Sequence, residues 1–158
     1  MRLGPSDCLL ITDVQYALLT RITDSGALIE GLQAIMTKSS EDGATIVATQ
    51  DWRGDLRGAR IGMLHEELPH DAVTVFLRRD SEFAASAFST TGLSGLLKER
   101  GIKTVYTAGV AYVQESACDA QRAGFRSVIL EDLTRSPLPQ MSELFLTHGV
   151  FVSRSDLS

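Results

Sequence analysis

The chain has 158 residues, 44% of them hydrophobic, and a formal charge of −5 at neutral pH; this is one domain by length, able to bury a core without disulfide or metal staples. Its 15 basic residues are scattered, apart from the Arg53, Arg57, Arg60 series and the Arg78–Arg79 pair, which speaks against nucleic acid as a partner. Two cysteines without CxxC spacing suggest neither a zinc site nor a disulfide framework, and the apolar run that ends at Asp13 is too short to span a membrane and lacks a signal-peptide cleavage pattern, so a protein of the cytoplasm is expected.

In chain order, the first apolar run is Cys8–Thr12, ending at Asp13. Within Ala27–Ser39, Leu28, Ile29, Leu32, Ile35 and Met36 fall on one helical face, with Asp24 or Ser25 as N-cap and Gly43 beyond the end. A second run, Thr45–Thr49, leads into Gln50–Asp71, where three glycines and three arginines predict a long functional or partly ordered loop rather than a helix. Val73–Leu77 is the third run. Leu93–Arg100 follows as a short helix whose Lys98 and Arg100 suit a C-terminus before Gly101. Thr104–Ala108, a helix over Ser116–Ala123, Ser127–Leu130, a helix over Gln140–His148 and Val150–Val152 complete the alternation. Continuous apolar runs of this length read as strands buried on both faces. Alternating with helices, they predict one domain over residues 1–158, an α/β fold: a three-layer α/β/α Rossmann-like sandwich on a mostly parallel six-stranded sheet. No GxGxxG follows the first strand and no P-loop occurs, which sets nucleotide binding aside.

Two segments, Leu9–Gln15 and Thr104–Phe125, run from a buried strand into a turn, where α/β enzymes place reactive groups. Asp13-Val14-Gln15 forms an Asp-x-Gln motif, and Gly109, Asp119, Ala120, Gly124 and Phe125 mark a turn, a helix ending in Asp-Ala, and a glycine plus aromatic. On these residues the chain resembles the isochorismatase-like family of cysteine hydrolases, which includes the nicotinamidases, from Leu9 to about Leu157. The resemblance implies that Asp13 is the general base. It also implies a cation after the third strand that holds the thiolate and the developing anion; Arg78 or Arg79 stands where the family has lysine, ahead of the matching Ser86-Ala87-Phe88. An arginine keeps the positive charge but does not shuttle protons near neutral pH.

The nucleophile turn departs from the family pattern, being three residues short and without cysteine. Tyr112 takes the nucleophile's place if the gap lies within the turn, and Glu115 if the chain is counted forward from Gly109. A phenol with a pKa of about 10 is a poor acyl nucleophile, and a carboxylate would give an anhydride. Cys118 reads as a structural cysteine, and Ser116 has no adjacent histidine. By the resemblance, backbone amides near Ala111 and Tyr112 form the oxyanion hole. The nicotinamidase branch holds a metal with an Asp-Trp-His motif and a later histidine; here the motif is Asp51-Trp52-Arg53, His65 matches a family segment next to the site rather than a ligand, and His70 and His148 lack ligand spacing. No metal and no cofactor are expected. The candidate catalytic residues are therefore Asp13, Arg78, Arg79 and Tyr112, and the candidate substrate contacts Gln15, Trp52, Phe88 and Ala111. The expected function is that of a catalytically altered or inactive hydrolase homologue, binding a small carboxylate or amide ligand or a protein, and homo-oligomeric as the family commonly is. The alternative is an active hydrolase of a small amide or an isochorismate-like vinyl ether, with Asp13 as acid or base and no thiol.

Overall fold

The computed structural model describes residues 1–81, 85–89, 91–135 and 149–156. Its strands are β1 (Asp7–Thr12), β2 (Thr45–Asp51), β3 (Val75–Arg79), β4 (Thr104–Gly109), β5 (Arg126–Thr134) and β6 (Phe151–Ser153). They form one six-stranded sheet in the order β3-β2-β1-β4-β5-β6, with every strand pair parallel. Among the described residues the α-helices are α1 (Tyr16–Leu19), α2 (Ser25–Glu41), α3 (Leu93–Glu99) and α4 (Val113–Arg122).

Side-chain alternation along the central strands divides the core into two layers. Leu9, Ile11 and Ile46 meet Leu28, Leu32, Ile35 and Met36 of α2 on one face. On the other face Cys8, Leu10, Val47 and Val105 meet Leu93 and Leu97 of α3 and Ala120 of α4. Each such aliphatic side chain contributes on the order of 1.5–3 kcal/mol by leaving water, which makes this double-sided burial the chief support of the sandwich. No helix among the described residues is long and apolar enough to cross a membrane.

Several boundaries and the loop after β2 sharpen the sequence reading. Val73 closes a 3-10 turn over His70–Ala72, so β3 begins at Val75 and carries both arginines inside the strand. Helix α4 starts at Val113 rather than Ser116, directly after the 110–112 turn. Strand β5 continues past Leu130 through Glu131-Asp132, because Leu133 returns to the core and Asp132 accepts the Ser155 N–H at 2.9 Å. The loop after β2 is ordered: His65 N–H donates to the Val14 carbonyl at 2.9 Å, and the side chains of Gln15 and Gln50 both donate to the Gly62 carbonyl, at 2.6 and 2.5 Å. The expected helix over 140–148 lies outside the described residues.

The strand order reverses between β1 and β4, and open α/β sheets present a crevice at that point, beyond the strands' C-terminal ends. Gly109 lets the two strands close there. Its φ is 129°, and a Cβ would collide with the Thr12 carbonyl, which accepts the Val110 N–H at 2.9 Å. Asp13 is thereby set beside the 110–112 turn.

Candidate functional site

Both residues that flank the crevice hold the left-handed backbone conformation that side chains rarely adopt: Asp13 at φ 52° and Tyr112, the N-cap of α4, at φ 54°. Such strain persists where the surroundings impose it, and it concentrates at functional sites. Strand alternation then separates the two arginines. Arg79 is the register partner of Asp51 and Arg78 that of Gln50, so they face opposite sides of β3. Arg79 turns inward, 1% exposed, and forms an ion pair with the fully buried Asp13, whose other oxygen accepts the Thr49 hydroxyl at 2.9 Å. Arg78 turns outward and lays its guanidinium 4.3 Å over the Trp52 ring.

Tyr112 closes this pair from above. Its ring centroid lies 4.6 Å from the Arg79 guanidinium carbon and 5.6 Å from that of Arg53. Arg53 in turn grips Asp51 with two bonds, Nε to Oδ1 at 2.8 Å and Nη2 to Oδ2 at 2.7 Å, and its Nη2 also donates to the Tyr112 hydroxyl at 3.2 Å. The result is two carboxylate–guanidinium pairs, Asp13–Arg79 and Asp51–Arg53, facing one phenol. These residues do not fit a metal ion. Both Asp51 oxygens are taken by a guanidinium that cannot ligate and carries the same sign of charge as a metal. Among the described residues no group of three or more His, Cys, Asp or Glu side chains converges.

The two carboxylates are tuned apart. Burial pushes the Asp13 pKa up to about 6, although the Arg79 charge and the Thr49 hydrogen bond pull it down. Burial also acts on Asp51, but the hydrogen bonds and charge of Arg53, helped by the charge of Arg79, outweigh it and hold the group below the ordinary value.

The remaining candidates fall elsewhere. The Gln15 side chain, expected to contact substrate, is buried and braces main chain instead: it accepts the Asp51 N–H at 2.8 Å and donates to the carbonyls of Asp51, at 2.9 Å, and Gly62. Phe88, also expected at the substrate, packs against Phe125, centroids 6.2 Å apart, in the cluster of Leu93 and Leu97. Ala111 is half-buried in the turn, and Glu115, the other nucleophile alternative, is exposed. Cys118 packs against the cluster of Val113, Ala117 and Ile129. The His65 ring lies tilted against that of Tyr16, centroids 4.9 Å apart, and His148 lies outside the described residues. Three contributors were not anticipated: Thr49, the Asp51–Arg53 pair acting as a unit, and a clasp in which Ser86 donates to Asp119 Oδ2 at 2.6 Å and the Ser116 hydroxyl accepts the Ala87 N–H at 2.9 Å. Period-2 spacing carries a signal for the first, since Thr49 and Asp51 share one face of β2.

Comparisons with known proteins fit this architecture. A family model described as an isochorismatase domain matches residues 7–150. The chain is 34% identical over 93 residues to a nicotinamidase of Acinetobacter baylyi, a match covering 51% of this chain and 44% of that protein, so it spans less than half of that relative's length. The pyrazinamidase of Pyrococcus horikoshii, in complex with zinc, superposes with a TM-score of 0.82 at 25% identity, covering 95% of this chain and 99% of that one. PnC1 of L. infantum, in complex with nicotinate, superposes with a TM-score of 0.83 at 25% identity, covering 99% and 97%.

Proposed function

From the premise that the chain belongs to the isochorismatase family, we propose that it is a member without thiol-dependent hydrolysis, whose fold serves to bind a small carboxylate or amide ligand. One observation carries this reading: the phenol of Tyr112 stands at the turn where the family has its nucleophile, over the Arg79 that Asp13 engages. A general base locked in a buried ion pair has no thiol to deprotonate, and residues that act as a unit lose activity together. Arg78 supports the binding half of the reading. It is exposed and held over the Trp52 ring, and an exposed guanidinium matches a carboxylate with two parallel hydrogen bonds. On the same premise the protein is cytoplasmic and homo-oligomeric, and its sedimentation mass checks the second point.

Calorimetric titration with nicotinamide, nicotinate and a small dicarboxylate tests the proposal. Saturable binding of a carboxylate, weakened by about tenfold or more in Arg78→Ala, is the expected result. No binding together with release of ammonia from nicotinamide would contradict it. A second reading rests on the raised pKa of Asp13, which suits an acid that protonates a vinyl-ether carbon. Isochorismate turnover that disappears in Asp13→Asn would favour that reading.

A further inference from the structure

We infer that Arg53 is a resident cation: its guanidinium takes the place, the charge and the carboxylate partner that a divalent metal would need at Asp51, so the cluster is assembled with no metal at all. Three features carry this. First, the pairing is bidentate, with both Asp51 oxygens engaged at 2.8 and 2.7 Å, and the Arg53 main-chain N–H adds a third bond to Oδ1 at 3.1 Å. A metal could enter only by displacing these bonds and sitting beside the displaced charge. Second, the backbone of Asp51 is anchored independently of Arg53. Gln15 fixes its main chain from both sides, N–H and carbonyl, and Trp52 N–H is bonded to the Arg79 carbonyl at 2.9 Å. The carboxylate is a prepared acceptor that any cation of suitable size can meet. Third, the cation has work beyond neutralising Asp51, because its Nη2 also donates to the Tyr112 hydroxyl and so orients the phenol over Arg79. Arg53 is therefore a positioning residue, and the inference goes beyond the proposed function: cation uptake is read directly, whether or not the cluster hydrolyses anything.

The test uses the tag-free full chain and its Arg53→Gly variant, followed by thermal melting and equilibrium dialysis. Wild type should take up no equivalent of Mn²⁺ and should melt at the same temperature with or without it. Arg53→Gly should melt lower, recover part of the loss with millimolar methylguanidinium or Mn²⁺, and recover nothing with the neutral isostere methylurea. Adding Asp51→Asn should remove that recovery, which assigns it to the Asp51 carboxylate. If Arg53→Gly does not fold, Arg53→Gln keeps the hydrogen-bond donors without the charge and should show the same selective response to Mn²⁺. One equivalent of Mn²⁺ bound by wild type overturns the inference, as does a folded Arg53 variant that responds to neither cation.

Discussion

Two polar networks tie the strand ends to α4. In the first, Ser86, Ala87, Asp119 and Ser116 clasp the segment before α3 to the helix through hydrogen bonds of 2.6 and 2.9 Å, and Arg122 adds an exposed ion pair to Asp119. Ser86, Ala87 and Asp119 belong to motifs by which the chain resembles its family, and Ser116 aligns by the same resemblance with a small hydroxyl residue. In the second, Asp13, Arg79, Tyr112, Arg53 and Asp51 fill the crevice with two ion pairs and a phenol. Here only the two aspartates match the pattern. The clasp needs small hydroxyls and one carboxylate to place the helix, whatever the helix then presents. On the proposed reading, placement and chemistry are separable: the clasp holds the helix in register whatever groups stand at its N-terminus.

Substitutions can break the contrast. Arg79→Met leaves Asp13 buried without its cation, and the expected loss is about 3–5 kcal/mol by urea melting at neutral pH. The pH dependence of Asp13 comes next. Its folded pKa of about 6 exceeds the ordinary 3.8, so the folded state holds a proton that the unfolded chain has released. Its contribution is complete below the unfolded value and is lost as pH rises through about 6. The stability difference between wild type and Asp13→Asn should fall over that window and then level off; a flat difference would place the group at its ordinary value. Asp119→Ala, which removes the carboxylate that accepts the Ser86 hydroxyl, should cost about 1–3 kcal/mol while leaving that pH difference in place. Tyr112→Phe removes a single partly exposed hydrogen bond and should cost less than about 1 kcal/mol, read by the same melts.

The framework was legible because it rests on periodicity. The apolar runs of β1, β2 and β4 and the helical face Leu28–Met36 declare themselves, and the resemblance of Asp13-Val14-Gln15 and Asp119-Ala120 places them in a family. The site was legible only as a set of candidates. Whether Arg78 or Arg79 faces inward depends on where β3 begins, and Val73-Thr74 is apolar and β-branched enough to pass for strand. Tyr112 against Glu115 turns on the location of a gap in the turn; in the fold Tyr112 is the N-cap of α4 and Glu115 lies in its first turn. Gln15 looked like a ligand contact because its motif is functional by resemblance; its hydrogen bonds to Asp51 and Gly62 span a loop whose path a linear sequence does not encode. In sequence Asp51-Trp52-Arg53 reads as a metal motif with its histidine replaced, whereas in the fold the Asp51 and Arg53 side chains meet where the chain leaves β2.

The most direct test of the central claim is ammonia release from nicotinamide by wild type and by Asp13→Asn, measured side by side. On the proposed function neither should exceed the rate in buffer alone, since a phenol stands over Arg79 at the turn before α4 and Asp13 is bound to Arg79. Turnover by wild type that disappears in Asp13→Asn would contradict it and return the cluster to the hydrolases.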